Sequence, residues 1–583
     1  LRVKNPCQKM TLLWLMMSSR TAALFSLRAV DSETGRGVPR VTFTTTYESS
    51  WITDSNGYVA ISTLGIEGET LWFAAAADGY EAKADAFGNR GLHASITSGG
   101  SATLNVERTQ IAERLYRQTG FGRYYDSIAL GDATLLPSQT VQVNSGVMGQ
   151  DSILCTVFNG AVRWFWGDTK RFAYPLGNFE STGATSCIPR TAPSCAPAEI
   201  DVSLAYFNRT LDGADFVAPM ASIEPVDFPT WIGGLTVVPD SGPLAVDGVA
   251  MSASYVKPDH TMTPTQVGLI GWSEKLENFS TLLGNWSLTH PLATTGGCCG
   301  QPVTNRATPI SGVPPTTTVA FSMDGDVPVR YVVFAGRGAW PLVGMRCLAT
   351  LSALADINQY EAYTPLLPTS SAARPVLDRD PATGGLRWMW RTGAPLFTAT
   401  VIALLETSGD LKPNEAPRAR IYEDGDATKP LTVAGGSVHW NAFRRRYIAI
   451  FGCNMNTHSD NKNNNNRGAA AGNSNLGELF YAEALEESSA PPPVSGPLVQ
   501  GSRSVNEIAW SNATRVVTHA TSGMSCYNPL HLPMFDDLEG QRIYLSCTMV
   551  TSYSTAKVAE GRYDYNNMMF GLNISNVLRR RSA

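Results

Sequence analysis

The sequence predicts an all-β protein, an N-terminal β-sandwich followed by a five-bladed β-propeller. Three observations carry the prediction. Charged residues make up only 16% of the 583-residue chain, while 52 Gly and 35 Pro supply turns in quantity. Runs rich in Val, Ile, Thr, Tyr, Phe and Trp recur, each roughly four to eight residues long and bounded by turn formers. Beyond Ser127 those runs gather into five clusters separated by several tens of residues, the pattern of repeated blades. A chain this long exceeds one ordinary core, so separate domains are expected.

Met10 to Met17 is a short apolar run with Arg20 close behind, similar to the core of a secretion signal. No run reaches the ~18–20 apolar residues of a membrane span. The expectation is therefore a soluble protein, secreted or held at the cell surface. Residues 22–108 form the first domain, with strands at Leu27–Val30, Val41–Thr46, Trp51–Ser55, Tyr58–Ile61, Leu71–Ala74 and Ala102–Val106. Asn56-Gly57 between two of them is a type I′ hairpin signal. Residues 109–126 read as a helical linker, because Ile111–Tyr116 has the spacing of a helical turn.

Residues 127–575 form the propeller. Its second cluster holds Gly234–Val238, Gly248–Tyr255 and Val267–Trp272. The third holds Thr317–Ser322 and Val329–Phe334. The fourth runs through Leu386–Trp390, Gly436–Trp440, Tyr447–Phe451 and Leu479–Ala482. The last contains Thr514–Val517, Arg542–Ser546 and Met568–Leu572. The Asn-rich tract 454–475 is too polar to bury area and reads as an insertion, and Ser488–Pro493 as a stiff linker.

The first cluster is the informative one. Asn159-Gly160 is the strongest short hairpin signal, since a type I′ turn needs φ > 0 at both central residues. A two-residue loop there pairs Phe158 with Ala161. Followed outward, the same register sets Asp151 opposite Asp168, with Cβ atoms ~4.5–5.5 Å apart. Two carboxylates so placed are unfavourable unless something uses or neutralises them. Lys170 or Arg171 could neutralise one, or backbone amides both. The chemical use is glycoside hydrolysis, which needs an acid and a carboxylate about 5–5.5 Å apart for retention and ~6.5–9.5 Å for inversion. A like-charged neighbour raises one pKa as the acid requires.

Asp151, Asp168 and Glu478, the last at the start of a strand, are the candidate catalytic residues. Candidate ligand contacts are Gln150 and Trp166 beside the acids, Tyr527, Asn528 and His531 in one polar block, and Arg562 and Asp564 in another. Trp164, Trp388 and Trp390 read as core, and Glu483 as solvated. Metal and cofactor are not expected, because no C-x-x-C or H-E-x-x-H spacing appears. A net charge of −5 gives no electrostatic case for nucleic acid. Among ten cysteines, Cys187 and Cys195 are the expected disulfide, whereas Cys155 and Cys547 fit buried thiols equally well. Glycosylation sequons fall at Asn208, Asn278, Asn285, Asn512 and Asn573.

The segments Ala112–Gly120, Gly149–Ser152, Trp164–Thr169, Gly435–Ala442, Gly477–Ala484, Tyr527–Asp536 and Arg562–Asn566 together resemble uncharacterised secreted proteins of planctomycete type. That family pairs an N-terminal prealbumin-like module with a propeller distantly similar to endo-D-arabinanases. The resemblance implies a carbohydrate-active protein that binds a polysaccharide and cleaves it through paired carboxylates. Two departures stand out: Gly233 and Ser546 occupy positions where the family pattern carries acids. A degenerate, non-catalytic extracellular or cell-surface glycoprotein with protein partners is the competing expectation.

Overall fold

The computed structural model describes residues 24–140, 145–261, 263–288, 308–309, 320–324, 327–335, 344–412, 415, 421–431, 433–453, 477–484, 510–519, 521–551, 554, 556 and 558–582. The fold is all-β, and the chain divides into two compact units, residues 1–109 with 124–140 and residues 110–123 with 141–583. The expectations for the apolar run at Met10, the Asn-rich tract and Ser488–Pro493 lie outside the described residues, as do Cys7, Cys298 and Cys299.

The first unit holds two four-stranded sheets. One orders Tyr58–Ser62, Leu24–Asp31, Ser101–Arg108 and Tyr80–Ala82; the other orders Ser50–Ile52, Thr42–Thr45, Thr70–Ala76 and Gly91–Ser95. Alternation sends Phe25, Leu27 and Ala29 from the first and Phe43 and Phe73 from the second into one shared core. Asn56-Gly57 does not close a hairpin. Ser50–Ile52 pairs with Thr42–Thr45, and Tyr58–Ser62 pairs in the other sheet with Leu24–Asp31. The turn carries the chain between sheets, and the Asp54 carboxylate accepts from Asn56 N and Tyr58 N.

Among the described residues the second unit contains five antiparallel sheets of four or more strands. Sheet I comprises Leu154–Phe158, Ala161–Trp166, Thr182–Ser186 and Ala205–Tyr206. Sheet II comprises Trp231–Pro239, Val249–Pro258, Pro264–Ser273 and Asn278–Asn285. Sheet III includes Val327–Ala335, Gly344–Leu348, Glu361–Thr364 and Met389–Thr392. Sheet IV comprises Val433–Asn441, Arg446–Cys453, Leu479–Glu483 and Thr514–Val517. Sheet V joins Ser525–His531, Arg542–Val550 and Asn566–Asn573 to Glu113–Arg117 from the start of the unit.

Two groupings therefore differ from the sequence expectation. Residues 389–392 belong to sheet III rather than IV, and Thr514–Val517 to IV rather than V. The expected helical turn at Ile111–Tyr116 is largely the strand Glu113–Arg117, buried at every position and paired with Asn566–Asn573. A strand covered on both faces loses its alternation, so its apolar residues can imitate helical spacing.

Neighbouring sheets share cores. Trp164 and Trp166 of sheet I pack with Leu115, Tyr544 and Met569 of sheet V. On the opposite face Phe158 and Phe165 pack with Ile232, Met251 and Trp272 of sheet II. Val238 and Val256 of sheet II join Val332 and Met345 of sheet III. The strand Leu154–Phe158 also lies against Trp231–Pro239, and Val433–Asn441 against Ser525–His531.

Candidate active site

The site grows from the Asn159-Gly160 turn. Both residues have positive φ, 48° and 68°, as a type I′ turn demands. Phe158 pairs with Ala161, and the register runs unbroken to Leu154 opposite Phe165. It resumes in a second ladder with Gln150 opposite Thr169 and Gly149 opposite Lys170. Between the ladders Asp151 N donates to Asp168 O at 3.2 Å and Gly167 N to Asp151 O at 2.9 Å. Asp151 thus stands opposite Asp168, where the turn predicts it. At Ser152 the backbone enters the left-handed region, φ 59°. Its N donates to Thr548 Oγ1, and its Oγ accepts from Asn528 Nδ2 at 2.7 Å.

Burial pushes the Asp168 carboxyl up to about 7, and the charge of Asp151 adds to the rise. Trp231 Nε1 donates to Phe179 O at 2.7 Å and also lies within reach of the Asp168 carboxyl, offsetting part of the effect. Asp168 Oδ1 is buried and has no hydrogen-bond partner among the described residues. Gly167 makes room for the other acid, because a Cβ there would sit 2.4 Å from Asp151 Oδ1. Tyr565 completes the group. Burial, the charges of Asp151 and Asp168 and the nearness of the Asp151 carboxylate push its phenol far above the ordinary range. The Lys170 ammonium lies 4.3 Å from the Tyr565 ring centroid and 3.1 Å from Asp564 Oδ2.

The remaining candidates divide. Asn528, Tyr527 and Asp564 lie around the pair, through Ser152, Tyr565 and Lys170 respectively. Arg562 is exposed, and its carbonyl accepts from Asn566 Nδ2 at 3.2 Å. Gln150 is fully buried, and both ends of its amide are engaged by Thr169, Thr182 and Tyr206. Trp166, expected to face a ligand, is 2% exposed instead. It stacks on Trp164 with centroids 6.2 Å apart and donates to Asn567 Oδ1 at 2.8 Å. The parity that aligns it with the acids also points it into the core between sheets I and V.

His531, a candidate ligand contact, is instead buried at the end of a strand, with Nε2 2.9 Å from both Asp536 oxygens. Glu478 is buried immediately before the sheet IV strand Leu479–Glu483. One of its oxygens accepts from Thr518 Oγ1 and His519 N, and the other lies 3.2 Å from Arg515. Glu483, expected to be solvated, is buried and gripped by Arg444 through two 3.0 Å hydrogen bonds.

Cys187 and Cys195 form the expected disulfide; Cys547 is bonded to Cys526, and Cys155 is free. Asn208, Asn285 and Asn512 are exposed, whereas Asn278 and Asn573 are half-buried. Among the described residues no group of three or more His, Cys, Asp or Glu is arranged to hold a metal ion, and no helix is long and apolar enough to cross a membrane.

No protein-family model matches the sequence, and no curated protein matches it. Solved structures with distant similarity include several glycosyl hydrolases. One from Bacteroides ovatus is 9% identical with a TM-score of 0.28, over 73% of this chain and 83% of that one. A Penicillium chrysogenum α-L-arabinanase is 8% identical at 0.27, over 80% and 98%. A Fusarium graminearum α-L-arabinofuranosidase is 7% identical at 0.25, over 80% and 99%. At these values the likeness carries no weight for activity.

Proposed function

We propose that the second unit is a five-bladed propeller that binds a polysaccharide and hydrolyses its glycosidic bonds, with Asp168 as general acid and Asp151 as base or nucleophile. What carries this reading is the Asp168 carboxyl, half-buried beside Asp151, with its pKa pushed up to about 7 and its one buried oxygen, Oδ1, left unpartnered. An acid with a pKa near the working pH holds its proton yet gives it up readily to a leaving oxygen. Its ionised neighbour then activates water or attacks the anomeric carbon. Glu478, already matched by Arg515, Thr518 and His519, takes no part.

Other features agree with the reading. The loop after Asp168 exposes Phe172, Tyr174 and Phe179, whose rings offer apolar faces to sugar rings. Five sheets in succession, the last completed by the unit's own first strand, suit a ring of blades. The Cys187–Cys195 and Cys526–Cys547 disulfides suit an oxidising, extracellular compartment.

A non-catalytic extracellular or cell-surface platform with protein partners is the second reading. It is favoured by Gly233, paired within sheet II, and by Ser546, fully buried and hydrogen-bonded to Gln118. Neither brings the acid that the pattern of the resembled family would place there. A screen of furanoside and pyranoside polymers for new reducing ends separates the two. Wild type is expected to cleave at least one, with Asp168→Asn and Asp151→Asn lowering the rate by about 10²–10⁴ while binding persists. Cleavage of no polymer by wild type overturns hydrolysis and leaves the platform.

A further inference from the structure

The sequence contains two runs of three arginines, Arg444-Arg445-Arg446 and Arg579-Arg580-Arg581. The first follows Asn441 in the turn between two strands of sheet IV, and the second ends the helix Ile574–Ser582. Both reach the Glu483 end of the strand Leu479–Glu483. Glu483 accepts from Arg444 Nε and Nη2 at 3.0 Å each and lies 3.9 Å from Arg446. Its backbone N donates to Ser511 Oγ at 3.0 Å, and the same oxygen accepts from Arg581 Nη2 at 3.2 Å. Arg581 also lies over the Tyr481 ring, 5.6 Å from its centroid, and donates to Thr514 Oγ1 and Asn512 O at 2.7 Å each. Asp424 lies 3.3 Å from Arg581, while its neighbour Glu423 is matched by Arg515. Among the described residues, six arginines therefore gather around Glu483 and Asp424, on a chain whose net charge is −5.

The six divide by role. Arg444, Arg446 and Arg581 are half-buried and held by the groups just named. Arg445, Arg579 and Arg580 are exposed, and among the described residues no carboxylate lies within ion-pair distance of them. Arg445 has φ 51°, a left-handed position at the end of the turn where Gly or Asn would sit without strain. The turn that holds this cation outward is fixed by Asn441, whose Oδ1 accepts from Arg444 N and whose Nδ2 donates to Gly540 O, both at 2.8 Å. Planar guanidinium forks match carboxylate and sulfate groups two bonds at a time. Phe443 in the same turn is exposed and offers a sugar ring an apolar face. The helix turns Ile574 and Val577 into the protein and its arginines outward, so it has no apolar stripe to lay into a lipid surface. We propose that the two arginine runs form a second, non-catalytic binding site for an acidic polysaccharide. Its carboxylate or sulfate groups pair with Arg445, Arg579 and Arg580, on a scaffold set by Arg444, Arg446 and Arg581. The site does not depend on the acid pair. Gly477, at the opposite end of the same strand, packs against Met524, beside the start of Ser525–His531 that carries Asn528.

The test measures binding of the full chain to polygalacturonate and to dextran sulfate, beside neutral dextran, single-stranded RNA and phosphatidylserine vesicles. Wild type is expected to bind at least one acidic polysaccharide, to weaken as salt rises, and to ignore neutral dextran. The triple variant Arg445→Ala, Arg579→Ala, Arg580→Ala leaves the half-buried arginines in place and should unfold like wild type. At low salt it is expected to bind about tenfold more weakly, the sum of three exposed charge contacts, with a flatter salt dependence. A control removes the same charge from exposed positions elsewhere, Lys83→Ala, Lys275→Ala and Arg374→Ala, and should bind as wild type does. The proposal is overturned if wild type binds neither acidic polymer, if the arginine variant binds undiminished, or if the control loses as much. Tighter binding of RNA or of vesicles, lost in the arginine variant, overturns the ligand class. Asp168→Asn separates this site from the hydrolase reading. It should bind the acidic polymers normally even if cleavage is lost, and a loss of binding there with none in the arginine variant would move the acidic glycan to the acid pair and end the proposal.

Discussion

Two pairs of carboxylates in the second unit have opposite surroundings. Glu478 and Glu483 open and close one strand segment of sheet IV, and each is met by arginine, Arg515 for the first and Arg444 for the second. Asp151 and Asp168 meet each other across a hairpin, with a tyrosine near both and burial around the second. Burial alone would raise Glu483, but hydrogen bonds from Arg444 and Tyr481 and the Arg444 and Arg581 charges bring it below the usual range. Asp168 goes the other way, up to about 7. A buried acid serves structure when cations surround it and becomes available for proton transfer when they do not.

The largest expected effect comes from making sheet IV resemble the hairpin. Arg444→Met leaves the buried Glu483 carboxylate with Tyr481, Arg446 at 3.9 Å and the charge of Arg581, without its two guanidinium hydrogen bonds. It is expected to cost roughly 3 kcal/mol in denaturant unfolding, near the low end for an uncompensated buried charge. A cost below about 0.5 kcal/mol, ordinary for a surface pair, would erase the contrast. Next comes Gly167→Ala, which sets a methyl where Asp151 Oδ1 now lies. Displacing that carboxylate by even ~1 Å is expected to lower cleavage about 10²-fold with little change in unfolding. An unchanged rate would show that Asp151 takes no part in cleavage.

Much of this arrangement was legible in the sequence, and the rest was hidden for identifiable reasons. The Asn159-Gly160 turn alone fixes a register that holds to Gly149 opposite Lys170, because a two-residue loop leaves no slack. The same dipeptide at Asn56-Gly57 misled, since a turn signal says where the chain bends but not which strand it then joins. Trp166 shares a face with the acids, yet parity cannot tell a solvent face from a shared core. Gly167 sits in the hairpin, but no spacing marks it as the residue whose missing Cβ admits the Asp151 carboxylate. Tyr565 comes to the pair from far along the chain, against Gly149 and Lys170. The low charge content and abundance of turns sufficed for the all-β class, but grouping strands into sheets required long-range pairings such as Asn566–Asn573 with Glu113–Arg117.

The pH dependence sharpens the contrast further. Asp168 has a folded pKa raised from 3.8 to about 7, so the folded state favours its protonated form. Its ionisation is a cost that is greatest above pH 7 and fades as the pH falls toward 4. Asp168→Asn is therefore expected to stabilise the protein at pH 8 and to match wild type near pH 4. Glu483 has the opposite sign. Its lowered pKa contributes stability above its ordinary 4.5, which is lost as the pH falls through the lowered value. Unfolding of Glu483→Gln should therefore differ from wild type most at neutral pH, as a loss. Parallel profiles for the two substitutions would mean that both acids are structurally matched.

The smallest effect tests what sets the register. Asn159 has φ 48° and its Nδ2 donates to Glu274 Oε1 at 2.7 Å, whereas Gly57 is the residue of positive φ in the Asn56-Gly57 turn. Alanine tolerates the left-handed region poorly, so Asn159→Ala is expected to cost ~1 kcal/mol, and Asn56→Ala distinctly less. The acid pair should survive the first substitution. Ala161–Trp166 is also tied to Thr182–Ser186, and Val147–Gln150 to Thr169–Arg171, so the strands remain in register once folded. Asn159→Ala should accordingly leave kcat within about twofold while lowering stability. If it instead lowers cleavage as far as Gly167→Ala does, the turn itself maintains the spacing of Asp151 and Asp168, and the neighbouring ladders do not.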